Sequence, residues 1–236
     1  MLDRWLWLRA YLRGGALRTF DAGCGNGAFS IFASQIGNQV VAASFMSTEQ
    51  QSASRRASIL GVTNIDFRII DLRELATHRN SLGAFDQIVC LETIEHVGDD
   101  VGLVAELAAM LNPGGRLFLS TPSEEHHPLF SEDRHPSPTE DGSHVRYGYS
   151  PLRLRQLATD AGLEVEDESF LSGVVSQKLT NLMRRLSARL GLLPAWSLLL
   201  PLRLLAPLDA PLSKALRYPH LSVALCAVKR SADAPA

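Results

Sequence analysis

Short apolar runs alternate along this chain with polar stretches of helical period, and glycines punctuate the joints. An apolar run ends at Phe20 and is followed by AFSIFASQIG, whose apolar positions recur with helical spacing. NQVVAASF reads as a second strand, and Met46-Ser47-Thr48-Glu49 opens a helix with Ser47 as the candidate N-cap. NIDFRIIDLREL supplies a third strand ending in Asp71, and Phe85 to Leu91 a buried fourth. A turn and a fifth strand occupy Pro113 to Pro122. A helix capped at Ser150 stops at Gly162 and leads into a sixth strand, and HLSVALCAVKR forms a seventh. Strands alternating with helices predict an α/β domain around a largely parallel sheet.

Two segments stand outside that alternation. Residues 1–15, MLDRWLWLRAYLRGG, read as an amphipathic helix ended by Gly14-Gly15. Arginines interrupt it throughout, so it lacks the clean apolar centre of a secretory leader. Packing over the sheet is the favoured use of Trp5 and Trp7; contact with substrate or a membrane surface is the alternative. Residues 171–218 form a long apolar insertion containing LGLLPAWSLLLPLRLLAPLDAPL. Pro194, Pro201 and Pro207 break it and Arg203 lies inside it, which argues against a membrane span. A lid over an apolar substrate, an interfacial helix pair touching lipid, and a homodimer surface remain as readings. The whole of 1–236 is expected to be a single domain, with both segments belonging to it.

Composition narrows the classes without choosing among them. Hydrophobic content of 46% and charged content of 20% are ordinary for a globular protein. A net charge of −2 gives no broad attraction to nucleic acid. Cys24, Cys90 and Cys226 are isolated and have neither metal spacing nor a disulfide framework, which suits a reducing cytoplasm.

The candidate chemistry begins at FDAGCGNG, Phe20 to Gly27, between the first strand and its helix. Gly23, Gly25 and Gly27 bring bare main chain beside a ligand, and the helix N-terminus adds free N–H groups. Gly23, Gly25 and Ala28 also satisfy a dinucleotide fingerprint. With Asp21 in front, the D-x-G-x-G-x-G form resembles motif I of class I S-adenosylmethionine-dependent methyltransferases. The resemblance covers Phe20 to about Phe170 and Leu221 to Lys229. It implies a Rossmann-like seven-stranded sheet flanked by helices, with the last strand antiparallel between the fifth and sixth. The apolar insertion then lies between strands six and seven.

It also implies S-adenosylmethionine as cofactor, with Asp21 near the methionine end and the three glycines beneath it. Members of that family end the second strand in an acid that binds both ribose hydroxyls; here the position is Ser44, and Glu49 follows a turn later. Phe45 and Met46 would cover the adenine face, Asp71 would accept from the adenine amino group, the Leu72 N–H would meet a ring nitrogen, and Leu91 would border the cofactor.

Glu92, Glu95 and His96 stand at i, i+3 and i+4, so a helix starting at Glu92 would project all three from one face. Two carboxylates and an imidazole could hold a divalent ion such as Mg²⁺. The E-x-x-E-H element resembles the metal motif of small-RNA 2′-O-methyltransferases and of quinone-ring O-methyltransferases. The RNA enzymes take a further histidine from after the fifth strand; His126, His127, His135 and His144 populate that segment, and His144 matches best by position. The metal set is therefore Glu92, Glu95, His96 and His144. Without a metal, His96 and Glu95 are the catalytic candidates, His96 as base. A third possibility is a helix start favoured by its dipole alone. In the loop from Ser123 to Tyr149, Arg146, Tyr147 and Tyr149 are either substrate contacts or packing residues.

The leading functional expectation is O-methylation of a small-molecule hydroxyl on a quinone, sugar or secondary metabolite. The alternatives are an RNA 2′-O-methyltransferase, an NAD(P)-dependent oxidoreductase using Ser44 with Arg55 or Arg56, and a binding protein that has lost the cofactor.

Overall fold

The computed structural model describes residues 2–127 and 136–230. The sheet consists of β1 (Arg18–Ala22), β2 (Gln39–Ser44), β3 (Ile65–Ile69), β4 (Phe85–Leu91), β5 (Leu111–Pro122), β6 (Leu163–Leu171) and β7 (Ser222–Lys229). Their spatial order is β3-β2-β1-β4-β5-β7-β6. The first five strands run parallel, and β7 is antiparallel to both β5 and β6. This is the seven-stranded arrangement implied by the glycine motif.

Alternation along the strands sends side chains into two cores. Phe20, Val41, Ile88, Cys90, Leu117 and Leu225 join one, with residues of α4 (Leu75–Leu82), α5 (Asp100–Ala109) and α6 (Pro151–Asp160). Val40, Ala42, Val89, Phe118 and Cys226 join the other, with α1 (Leu2–Tyr11) and α2 (Ala28–Gln35). On α1, Trp7 and Leu8 are buried, and the Trp7 ring meets Phe118 edge-on at 6.2 Å. The N-terminal helix is thus a layer of the fold. All three cysteines are buried free thiols.

Two local expectations need correction. Ser47 is the first residue of α3 (Ser47–Ile59), not its cap; Met46 holds the N-cap position and supplies no side-chain bond. The Ser44 hydroxyl reaches toward this entry instead, with Met46 N–H 3.4 Å away. The Glu92–His96 segment is likewise not the start of an α-helix. Glu92 adopts a left-handed backbone (φ 53), Ile94–His96 makes one 3₁₀ turn, and α5 begins only at Asp100, capped by Asp99.

The insertion comprises α7 (Val174–Leu190), α8 (Leu192–Leu199), a 3₁₀ segment Pro201–Leu208 and α9 (Asp209–Leu216). Its root is a buried carboxylate far along the chain. Asp209 accepts from the N–H groups of Gly173 (2.9 Å), Val175 (2.7 Å) and Ser176 (3.3 Å), so it caps α7 from α9. Beyond that root the surface is apolar, with Leu193 80% and Leu198 61% exposed. Among the described residues no helix is long and apolar enough to cross a membrane.

Candidate active site

Parallel strands leave their carboxyl ends open to a ligand where the strand order reverses, here between β1 and β4. A cleft of about 260 Å³ opens at that edge. Gly23 and Gly25 form its floor with positive φ of 84 and 49. A Cβ on Gly23 would stand 2.4 Å from Thr93 Oγ1, so that glycine lets β1 and β4 meet. A Cβ on Gly25 would meet nothing within 4 Å and would project into open space. Gly27, N-cap of α2, faces Ala53 and lies outside the lining.

Of the other cofactor candidates, Ser44, Phe45, Met46, Asp71 and Leu72 line the cleft, while Asp21 and Leu91 do not. Asp21 is buried behind the glycine turn and accepts from Ser30 Oγ at 2.5 Å. Burial pushes its carboxyl up to about 6, against a smaller opposing pull from Ser30. Asp71 caps a 3₁₀ turn through Arg73 N–H (3.0 Å) and pairs with the Arg73 guanidinium, which holds its carboxyl below the usual range.

Sequence reasoning overlooked a second set of lining residues: Arg73, Thr93, Val97, Glu140 and Gly142. Arg73, Thr93 and Val97 come from the turns after β3 and β4, while Glu140 and Gly142 arrive because the loop after β5 folds back across the cleft. Arg73 Nη1 donates to the Glu140 carbonyl at 3.0 Å, and Glu140 accepts from Gly98 N–H. Arg146 donates to the carbonyls of Val97 and Gly98. Tyr149 is buried and donates to Asp100 at 3.0 Å, and Tyr147 donates to the His126 carbonyl at 2.8 Å. All three loop residues offered as substrate contacts therefore fasten the loop.

The E-x-x-E-H residues separate. Glu92 is held by Arg4 Nη2 at 2.8 Å, Ser120 Oγ at 2.9 Å and Ser222 Oγ at 3.2 Å. Glu95, His96 and His144 come together, each with a ligating atom within 4.8 Å of the others. Glu92 lies outside that trio because its left-handed backbone turns it toward Arg4. Glu95 is fully buried; Thr121 Oγ1 donates to one oxygen at 3.2 Å, and Oε1 has no hydrogen-bond partner among the described residues. Burial, and then the Glu92 charge, raise its carboxyl well above the ordinary range. His96 lines the cleft, its Nε2 is 3.9 Å from Glu95 Oε1, and its ring meets that of His144 edge-on at 4.6 Å. His126 is buried under Tyr147, His127 packs on Tyr218, and His135 lies outside the described residues.

A family model described as a methyltransferase domain matches residues 8–168, the stretch that holds both cleft walls. This chain belongs to the class I S-adenosylmethionine-dependent methyltransferases. Among curated relatives, this methyltransferase is 30% identical over 188 residues to the ubiquinone biosynthesis O-methyltransferase of Xanthomonas axonopodis pv. citri (strain 306), covering 78% of this chain and 76% of that protein. Identity is also 30% over 177 residues to the enzyme of that name from Xanthomonas euvesicatoria pv. vesicatoria (strain 85-10), covering 73% and 71%.

Solved structures share its fold. The [4+2]-cyclase SpnF matches with a TM-score of 0.64 at 19% identity, over 97% of this chain and 80% of the other. Magnesium protoporphyrin IX methyltransferase from Synechocystis PCC 6803, with bound SAH, matches with a TM-score of 0.59 at 18% identity, over 98% and 80%. A cyclase and a methyltransferase on one scaffold show that the architecture alone does not choose the reaction. The methyltransferase's own residues are compatible with the cofactor: nothing lies within 4 Å of a Cβ built on Gly25, and the carboxylates of Asp71 and Glu49 line the cleft.

Proposed function

We propose that this methyltransferase transfers a methyl group to a hydroxyl oxygen of a small, largely apolar acceptor. One observation carries the reading: the Glu95–His96–His144 trio stands beside the cleft, with His96 in its lining. Relatives named as ubiquinone biosynthesis O-methyltransferases favour a quinone-type hydroxyl.

When bound, S-adenosylmethionine supplies an electrophilic methyl on a sulfonium. The chain's task is to align acceptor and methyl in a site sheltered from water and to remove one proton. His96 receives the hydroxyl proton on an imidazole nitrogen as the oxygen–carbon bond forms. The cofactor's sulfur would keep the electron pair of the bond to its methyl, so the products would be a methyl ether and S-adenosylhomocysteine. Buried Glu95, 3.9 Å from one ring nitrogen, and exposed His144, packed edge-on, orient that imidazole. The trio's donor set also suits a divalent ion, since Glu95 Oε1 is buried without a hydrogen-bond partner among the described residues; an ion there would acidify the hydroxyl.

Titration calorimetry with Mg²⁺, Mn²⁺ and Zn²⁺, using Glu95→Ala as control, separates base from metal. Flat traces for all three ions remove the metal. His96→Ala is expected to lower kcat roughly 10²–10⁴-fold with S-adenosylhomocysteine affinity preserved. Undiminished kcat would refute the trio.

The same reading assigns the insertion to the acceptor side. Residues 171–218 carry seven Lys or Arg against one acid, Asp209, in a chain of net charge −2. Exposed leucines beside this positive charge support contact with an anionic lipid surface, from which an apolar acceptor would be drawn. Low-salt flotation with phosphatidylglycerol vesicles should carry the protein upward; protein left at the bottom eliminates the lipid contact.

A further inference from the structure

We infer that Glu49, reached from the first turn of α3, is the ribose-binding carboxylate of this enzyme, with Ser44 as its positioning residue. The inference rests on the assigned cofactor. In βαβ nucleotide sites a ribose is held near the end of the second strand by a carboxylate some 20 residues beyond the glycine turn, because two vicinal hydroxyls suit two carboxylate oxygens. Here that strand ends in Ser44, whose single hydroxyl cannot pair with both.

The geometry supplies the missing acid from the next element. Glu49 lines the cleft together with Gly23, Gly25, Met46 and Asp71. Ser44 Oγ donates to Glu49 Oε2 at 2.5 Å, which draws the side chain back from α3 toward the end of β2. Glu49 Oε1 has no hydrogen-bond partner among the described residues. An acid in the first turn of a helix is favoured by the dipole whichever way it points. That preference accounts for a glutamate near the start of α3, but not for one half-buried in the cleft and fixed by a buried serine. Ser44 and Glu49 together thus do what one strand-end acid would do, serine by orienting and glutamate by accepting from the diol. A carboxylate in this place also repels a ribose 2′-phosphate.

Calorimetry with S-adenosylhomocysteine and its 2′-deoxy analogue tests the assignment without turnover. Glu49→Ala and Glu49→Gln should each weaken S-adenosylhomocysteine about 10- to 100-fold. Removing the 2′-hydroxyl should weaken binding to the wild-type protein about 10-fold and to Glu49→Ala less than about 2-fold, the mark of a shared interaction. Moving the acid back, in Ser44→Asp/Glu49→Ala, should restore most of the affinity. Wild-type binding with Glu49→Ala within about 3-fold of it, or equal 2′-deoxy penalties in both proteins, overturns the role of Glu49 alone. Wild-type protein that ignores S-adenosylhomocysteine overturns the cofactor placement, and this inference with it.

Discussion

The cleft and the insertion are made by opposite means. The cleft floor is main chain: a glycine turn between β1 and α2, backed by the buried Asp21–Ser30 bond and closed over by a loop tied to Arg73. The insertion, which supplies none of the cleft lining and which we propose serves the acceptor, is side chain: it is rooted on Asp209, with leucines left in solvent. A nucleoside that never changes can be met by rigid backbone. An acceptor that differs between enzymes is better met by a surface whose side chains can be exchanged without disturbing the sheet.

That contrast can be broken most sharply at Gly25. Gly25→Val puts a branched side chain into the open space over the turn, so S-adenosylhomocysteine affinity should fall about 100-fold, or ~2.7 kcal/mol. The melting temperature should fall as well, because φ of 49 strains a β-branched residue even though no atom lies within 4 Å of the new Cβ, so affinity is read at a temperature where the variant is folded. A normal calorimetric titration would mean that the nucleoside lies elsewhere.

Asp21 offers an effect on stability. Its carboxyl is raised from 3.8 to about 6 by burial. Stability from this group is fully present below pH 3.8 and is lost as pH rises through about 6. Asp21→Asn keeps an acceptor for Ser30 and removes the charge, so at pH 7 it should gain up to on the order of 2–3 kcal/mol. Chemical denaturation at pH 4 and pH 7 should show the gain only at the higher pH; equal gains at both would discredit the raised carboxyl.

The insertion should respond in the reverse sense. Leu193→Glu with Leu198→Glu should abolish flotation while leaving S-adenosylhomocysteine affinity within about 2-fold, because both leucines are exposed and neither lines the cleft. Flotation that survives both charges would detach the insertion from lipid.

The sheet was legible because most strands carry their own signal: a short, continuously apolar run, as suits strands buried on both faces, with a glycine or proline near a boundary. The glycine turn was legible for the same local reason. What failed to show was whatever depends on residues far apart in sequence. Spacing alone puts Glu92, Glu95 and His96 on one helical face, yet Glu92 is turned away by Arg4 and Ser222, which lie 88 and 130 residues distant. A positive φ at a glutamate is disfavoured and survives here under three hydrogen bonds that no local pattern encodes. Glu140 and Gly142 reach the cleft only through the return of a loop, and the cap of α7 comes from Asp209, more than thirty positions later. Glu49 was visible as an acid one turn too late, but its direction is set by Ser44.

The grip on Glu92 joins three distant parts of the chain at one point. Arg4 of α1, Glu92 after β4 and Ser222 of β7 share a polar cluster, and Arg4 Nη2 reaches both Glu92 and Ser222 at 2.8 Å. Glu92 lines the cleft at a positive φ, so fraying of α1 would strip this carboxylate of its cation and be felt at the cleft wall.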